Sequence, residues 1–248
     1  MDPVESYLLS SGARGGVRTH MTRRSGGFKP PVSANSTTRA AAQDRGRAMA
    51  VRAIDCLKRR GVWSRSMSNE VTDRVTALVN AFDARVQAAS SDSWANQSPC
   101  AEWKARDVVV HVSNNLLRIG GALTGNAGRE IAADEDISSA WAEARDGFLS
   151  AMGSADLSQM VPGPFGPMPA EQLLGRIISA DVLVHTWDLA RAVGGDEQLD
   201  ADAVAGAYSG LKPMDAMIRM PGVFGAKVDA PSGADLQAEF LSFLGRQV

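Results

Sequence analysis

Cysteine and histidine are scarce in this chain of 248 residues. The cysteines are Cys56 and Cys100 alone, which is too few for a disulfide framework or a cysteine-rich zinc module. A reducing cytoplasm is therefore the simpler setting. The histidines are His20, His111 and His185. Because imidazole is both a metal ligand and an acid–base group, the surroundings of these three side chains bear most directly on chemistry.

A strong charge of one sign and long apolar runs are also absent. Lys and Arg total 26 against 28 Asp and Glu, so the net charge of −2 gives no electrostatic reason to expect a nucleic-acid or acidic-membrane partner. No segment reaches about 18 unbroken apolar residues, and the first residues lack the pattern of a signal peptide. We expect a cytoplasmic protein with neither nucleic-acid nor membrane partners, whose 44% hydrophobic content supports a core of useful size.

The chain divides by composition near residue 67. Residues 1–66 are rich in Arg, Ser, Gly and Thr, carry a basic excess and show no sustained helical or strand period. Such a segment cannot bury enough apolar surface to offset its ordering entropy, so we predict a disordered basic N-terminal extension. Its charge could mark a nucleic-acid arm, although a plain tail is the preferred interpretation. Residues 67–248 are predicted to form a helical domain.

Apolar residues recur at intervals of three and four from Ser68 onward, which is the period of an amphipathic helix. The pattern predicts helices over 68–89, Ala105–Thr124, Ile137–Met152, Glu171–Val193, Ala201–Arg219 and Ala234–Leu244. The proline-rich stretch Pro162–Pro169 predicts a loop with a short strand at one end, and Val223–Val228 predicts another short strand. The fold class is therefore mainly α, and long helices with short connections favour a bundle.

Polar side chains interrupt the apolar face of the fourth predicted helix. Side chains four residues apart lie over one another on a helix, so Asp181 and His185 share a face, and Asp188 falls on it too. Burying charge without a partner is costly, and a metal ion is one of the few partners that offsets this cost for carboxylate and imidazole together.

The second predicted helix carries a similar polar stripe beside an apolar one. His111 lies on it with Asn115 and Arg118 when residues are placed at about 100° each. Adding His111 to Asp181 and His185 gives a set of two histidines and one carboxylate, which leaves positions on an ion open for water or substrate, as in catalytic zinc or ferrous iron sites.

Simpler explanations exist for each of these side chains. A histidine near an aspartate on a helix is more often a salt-bridged pair or a core histidine than a metal ligand. Trp103 could wall a pocket but is more often core, and Cys100 is more often an inert buried thiol than a reactive one. Asp188 is either a partner of His185 or a surface acid. Arg118 could hold an anionic substrate group or pair with a neighbouring acid.

Two motifs and a closing tetrapeptide carry a family resemblance: SPCAEWKARDVVVHV at 98–112, LVHTWDLA at 183–190 and FLGR at 243–246. With them the chain resembles the DinB-like metal-binding families, specifically the actinobacterial, mycothiol-dependent maleylpyruvate isomerase N-terminal type. The resemblance implies an up-down-down-up four-helix bundle, with additional C-terminal helices and a short β-hairpin here. It also implies a divalent metal ion, commonly zinc with nickel or iron as alternatives, held by His111, Asp181 and His185. The family often has Glu at the Asp181 position, and this chain has the shorter acid.

Activities in this superfamily involve low-molecular-weight thiols, whose pKa the metal lowers so that the thiolate attacks an electrophile. The resemblance thus implies mycothiol or a similar thiol as cosubstrate, with a small-molecule electrophile as partner. The isomerase carries a further C-terminal domain, whereas a short tail follows Pro221 here, so a thiol-dependent S-transferase or an isomerase-like relative is expected. Around the metal we expect Asn115, Arg118, Asp188 and Trp103 to form a second layer or a substrate pocket, with no catalytic residue assigned.

The competing hypothesis is a non-catalytic helical protein. Its metal site would be structural, or its polar stripes would contact a subunit or another partner. The sequence leaves open the identity of the metal, the thiol and the electrophile, and it leaves open a homodimer.

Overall fold

The structure is a computed structural model that describes residues 69–219 and 224–248. It is mainly helical over these residues, as the sequence predicted. The extension predicted over residues 1–66 lies outside them, and so does the boundary at residue 67.

The first part of the described chain holds three long helices and a hairpin. These elements are α1 (69–88), α2 (Ala105–Thr124), α3 (Ile137–Ser154), β1 (Met160–Val161) and β2 (Met168–Pro169), with a 3-10 turn over Ser91–Ala95 between α1 and α2. The remaining elements are α4 (Ala170–Gln172), a π-helical segment (Leu173–Ile178), α5 (Ser179–Val193), α6 (Ala201–Leu211), a 3-10 turn (Lys212–Met214), α7 (Asp215–Ile218) and α8 (Leu236–Phe243).

Helices α2 and α3 run parallel, which requires a crossover between them. Arg106, in the first turn of α2, donates to the carbonyl oxygen of Glu135, just before α3 begins. At the other end, Gln159 lies beyond α3 and donates to the carbonyl oxygen of Leu123 in the last turn of α2. The loop over residues 125–136 therefore returns along the pair before α3 starts.

Helices α1 and α5 run in the opposite direction to that pair. Asp83, late in α1, accepts a 2.8 Å hydrogen bond from Trp141 Nε1 near the start of α3, so α1 and α3 are antiparallel. Asn115, in the second half of α2, meets Asp181 at the start of α5, so these two helices are antiparallel too. Arg85, near the end of α1, pairs with Asp196 just after α5. The order is up-down-down-up, which confirms the predicted bundle.

The apolar stripes of the four long helices meet in one core. Its fully buried side chains include Val75, Val79, Phe82, Val108, Val112, Leu116, Trp141, Phe148, Leu174, Val184 and Leu189. Burial of side chains of this size is the main favourable term in folding, roughly 1.5–3 kcal/mol for each. Among the described helices, none combines the length and the apolar character that crossing a membrane requires.

A π-helical segment leads into α5, where the sequence had predicted one regular helix. The backbone N–H of Ser179 reaches the carbonyl oxygen of Leu174, five residues earlier, and the Ser179 hydroxyl donates to the same oxygen at 2.9 Å. One extra residue in a turn rotates the helix before that turn relative to the helix after it. Asp181 and His185 both lie after this segment, so their i, i+4 relation is unaffected.

The C-terminal part departs from the predicted elements in two places. The prediction of a strand at Val223–Val228 is wrong for residues 224–228, which have no regular secondary structure. Val223 lies outside the residues that the structure describes. The β-hairpin lies earlier in the chain, where β1 and β2 pair on the two sides of the proline-rich loop. The helix predicted over 201–219 is interrupted by a 3-10 turn containing Pro213, because proline lacks an N–H and disfavours an α conformation before it.

After α8 the chain turns back sharply at Gly245. This residue has φ +85°, and an added Cβ would lie 2.6 Å from the carbonyl oxygen of Ala226. A side chain at this position would therefore be strained twice, by conformation and by contact. The turn directs the next residue, Arg246, into the interior, where it is 9% exposed.

Candidate metal centre

Helices α2 and α5 bring together the three donors that the sequence singled out. His111 Nε2 lies 3.3 Å from Asp181 Oδ1, and His185 Nε2 lies 3.6 Å from the same oxygen. The potential ligand atoms of the three residues all lie within 4.8 Å of one another. The antiparallel packing of the two helices produces this meeting, because it places the middle of α2 beside the first half of α5.

The spacing of these atoms suits a metal ion. Two donors that each lie about 2.1 Å from a tetrahedral ion are about 3.4 Å apart, close to the two separations measured from Asp181 Oδ1. Two imidazole nitrogens and one carboxylate oxygen are also a donor set that zinc and other divalent ions accept. The aspartate, although shorter than glutamate, is long enough to reach both histidines.

The orientation of Asn115 determines what faces His111. Arg118 has only donors, and it contacts Asn115 Oδ1 at 2.9 Å, so the other amide atom must be Nδ2. That Nδ2 lies 3.0 Å from His111 Nε2 and 3.1 Å from Asp181 Oδ2, and donates to them. A ring nitrogen that accepts a hydrogen bond carries a lone pair, which is the form that binds a metal.

A buried carboxylate determines the tautomer of His185. His185 Nδ1 lies 2.8 Å from Asp188 Oδ2, and Asp188 is completely buried. Asp188 also accepts two hydrogen bonds from Arg246, at 3.1 and 2.7 Å. Burial raises the pKa of Asp188, but the hydrogen bond with His185 and the charge of Arg246 outweigh this effect and lower the pKa to about 2. An ionised carboxylate can only accept, so His185 Nδ1 donates, and in the neutral ring Nε2 carries the lone pair.

With both rings neutral, three acceptor atoms therefore converge on one point. Such an arrangement is repulsive unless a positive charge lies among the atoms. Burial raises the pKa of the Asp181 carboxyl, but positive charge at the His111 and His185 rings and the hydrogen bond from Asn115 outweigh burial and hold this pKa well below its usual range. The site thus favours an ionised carboxylate beside two imidazoles, and its residues fit a divalent cation.

One side of the centre is walled and the other reaches solvent. The Trp103 ring centroid lies 4.7 Å from that of His111 and 5.6 Å from that of His185. The side chains of His111 and Asp181 remain 24% and 17% exposed. Trp103 is half-buried against the core, so it is both a core residue and a wall of the site. A small molecule can approach the three donors from the exposed side.

The remaining predicted site residues take different places. Arg118 does not touch the three donors, and its hydrogen bond goes to the side-chain oxygen of Asn115, which in turn contacts His111 and Asp181. Asp107, in the first turn of α2, accepts a hydrogen bond from the backbone N–H of Lys104 at 2.9 Å. This bond satisfies an N–H group at the start of the helix, where Lys104 has no side-chain oxygen to act as a cap.

Sequence reasoning missed Arg246. Its guanidinium reaches the centre from 58 positions beyond Asp188, and no local pattern indicates that contact. The only signal was the tetrapeptide that ends in this arginine, which carries the family resemblance but indicates no role for the side chain. Arg246 also lies 3.4 Å from Cys100 Sγ, so the two residues meet behind the histidine.

Cys100 forms a second cluster of potential ligands with His185 and Asp188. Burial, together with the charge of Asp188, raises the pKa of the Cys100 thiol to about 12, so it stays protonated at neutral pH. His185 Nδ1 and Asp188 already bond to each other, and Arg246 donates to both carboxylate oxygens, so this second cluster offers few free donor atoms for an ion. The structure supports the interpretation of Cys100 as an inert thiol.

We expect Cys100 to resist alkylation in the folded protein. Because the thiolate is the nucleophile, iodoacetamide at about pH 7.5 should modify Cys100 at least about tenfold more slowly than a free cysteine thiol. Mass spectrometry of the peptide that contains Cys100, with and without denaturant, measures this rate. Alkylation as fast in the native as in the denatured protein would contradict the buried, protonated thiol.

Comparisons with known proteins agree with the geometry. The family model described as the mycothiol maleylpyruvate isomerase N-terminal domain matches residues 75–190, which include all three donors. Similar proteins are two uncharacterized proteins of Mycobacterium tuberculosis, one from strain CDC 1551 / Oshkosh and one from strain ATCC 25618 / H37Rv. Each is 25% identical over 171 residues, which cover 68% of this chain and 93% of the relative. No solved structure matches the chain significantly.

Proposed function

We propose that this protein binds a divalent metal ion and uses it to activate a low-molecular-weight thiol, because residues 75–190 match the family model of the mycothiol maleylpyruvate isomerase N-terminal domain. His111, Asp181 and His185 would hold the ion. The observation that carries the proposal is the convergence of two imidazole nitrogens on one carboxylate oxygen, at 3.3 and 3.6 Å. Zinc suits the donor set best, with nickel and iron as alternatives.

The surrounding residues support this use. A divalent ion would lower the pKa of a thiol that reaches it. Asn115 holds His111 and Asp181 in place through its amide nitrogen, and Asp188 orients His185. Trp103 shields one side of the site from water. These arrangements leave the solvent-facing side for the thiol and for its reaction partner.

We propose a thiol-dependent S-transferase or an isomerase-like enzyme, with mycothiol or a similar thiol and a small electrophile as reactants. In S-transfer the thiol loses its proton to solvent, its sulfur bonds to an electrophilic carbon, and the leaving group departs with the electron pair of the broken bond. In isomerisation the sulfur adds to a double bond and is later eliminated, so the thiol is regenerated. Partial exposure of His111 and Asp181 favours such a use over a closed structural site.

Metal content and thiol consumption test the proposal together. Protein purified without added metal should contain about one divalent ion per chain by mass spectrometry, since three preformed donors bind zinc tightly. With mycothiol and chlorodinitrobenzene or bimane electrophiles, the metal-loaded protein should consume thiol faster than the apoprotein.

Two results would count against parts of this proposal. Less than about 0.1 ion per chain, with no gain after adding zinc or nickel, would contradict the metal centre. One ion per chain without turnover, across mycothiol, glutathione and cysteine with several electrophiles, would favour a structural metal site instead.

A further inference from the structure

Arg246 makes a complete set of contacts behind the metal centre. Its Nε lies 3.1 Å from Asp188 Oδ1 and one terminal nitrogen lies 2.7 Å from Oδ2, which is the two-pronged geometry of a strong guanidinium–carboxylate pair. The other terminal nitrogen donates to the carbonyl oxygen of Leu244 at 3.0 Å. Both side chains are buried, so water screens this pair very little.

We propose that Arg246 is a positioning residue of the metal centre, which acts by fixing Asp188 so that Asp188 in turn fixes the ring of His185. The proposal rests on the proposed function, because it assigns Arg246 a role toward the same ion. It extends the centre by a residue from the C-terminal end of the chain, beyond the matched segment 75–190.

The contacts from Arg246 through Asp188 to His185 explain how the loss of Arg246 would weaken metal binding. Asp188 Oδ2 accepts from both Arg246 and His185 Nδ1, so one oxygen joins the guanidinium to the ring. Without Arg246 this buried carboxylate loses both of the hydrogen bonds that it accepts from a guanidinium, and it becomes free to rotate. His185 would then lose the partner that selects the Nε2 lone pair.

Arg246 is not needed merely to keep the C-terminal segment in place. Arg219 ties the same segment from the other side, since its terminal nitrogens donate to the carbonyl oxygens of Gly225 and Phe243, both at 2.6 Å. Leu241, Phe240 and Leu244 are buried in the core as well. Arg219 has no described contact with Asp188 or the donors, which makes it a matched control.

Metal affinity of the full chain tests the positioning role. The variants R246M and R219M, both arginine-to-methionine, are compared with wild type by competition for zinc with a chromophoric chelator. We expect R246M to weaken zinc binding about 10–100-fold, the effect typical of losing an outer partner of a ligating histidine, and R219M to stay within about twofold. R246K, which keeps the charge but cannot form two parallel hydrogen bonds, should lie between wild type and R246M.

The tautomer of His185 in the metal-free protein gives a second readout. Long-range proton–nitrogen NMR spectra of the apoprotein, assigned with H185A, should show the Nδ1–H form in wild type and R219M. In R246M, and partly in R246K, the ring should shift toward the Nε2–H form. Merely loosening the fold would not produce this change.

The results distinguish a failure of the positioning role of Arg246 from a failure of the metal centre itself. Zinc affinity and tautomer in R246M equal to those of wild type would overturn the positioning role while leaving the metal centre intact. If wild type binds no zinc, the proposed function fails, and the tautomer then reports only whether Arg246 orients His185. Should R246M not fold, as checked by circular dichroism, R246K decides: unchanged affinity and tautomer overturn the proposal.

Discussion

Replacing His185 by Ala is expected to abolish stoichiometric metal binding, leaving less than about 0.1 divalent ion per chain. Two donors, His111 and Asp181, would remain, and two protein ligands rarely hold zinc in competition with buffer. His185 is also the donor whose second ring nitrogen is fixed by a buried carboxylate. Its loss therefore removes the most deeply buried of the three donors. Mass spectrometry after dialysis against a zinc buffer at fixed free concentration measures the content.

Control variants separate ligand loss from general damage. H20A removes the histidine that is not among the proposed donors and should leave the metal content at the wild-type value. D181E substitutes the acid that the family often carries, so it should retain metal, whereas D181A should lose it as H185A does. Full metal content in H185A together with a changed oligomeric state would instead favour the competing hypothesis of a partner-binding polar stripe.

The local sequence predicted most of the helices because their burial is periodic. The predicted bounds of α2, Ala105–Thr124, agree with the structure, since Gly125 adopts φ +74° and ends the helix as a C-terminal glycine does. The π segment before α5 was not predictable in this way. A shift from i−4 to i−5 hydrogen bonding depends on how the helix packs against its neighbours, such as α1, where Arg74 reaches the carbonyl oxygen of Gly175.

The candidate site was predictable only in part, for a related reason. Asp181 and His185 share a helix, so their spacing carries the information that they face the same way. His111 was indicated by an unexplained polar stripe, and the bundle was needed to bring it within 3.3 Å of Asp181. Arg246 has no such local signal, because the turn at Gly245 and the docking of α8 determine where its side chain points. Contacts of this kind belong to the tertiary structure alone.

Replacing Asp188 by Ala is expected to lower the free energy of unfolding by about 3–5 kcal/mol in the metal-free protein. The substitution leaves the Arg246 guanidinium buried without its carboxylate, and an unpaired buried charge is far more costly than the pair itself is stabilising. Urea unfolding with a chelator present measures the difference. The double variant D188A/R246M should recover much of the loss, because it removes the stranded charge.

A matched control and the pH dependence make this expectation specific. D196A removes an aspartate that is 72% exposed and pairs with Arg85 at the surface, so it should cost less than about 1 kcal/mol. Because the folded protein lowers the pKa of Asp188 from 3.8 to about 2, the carboxylate contributes fully above about pH 5. The stability difference between wild type and D188A should therefore be constant near neutral pH and shrink as the pH falls from about 5 toward 1. A difference that does not change over this interval, or one equal to that of D196A, would mean that the buried pair does not stabilise the fold as an ion pair.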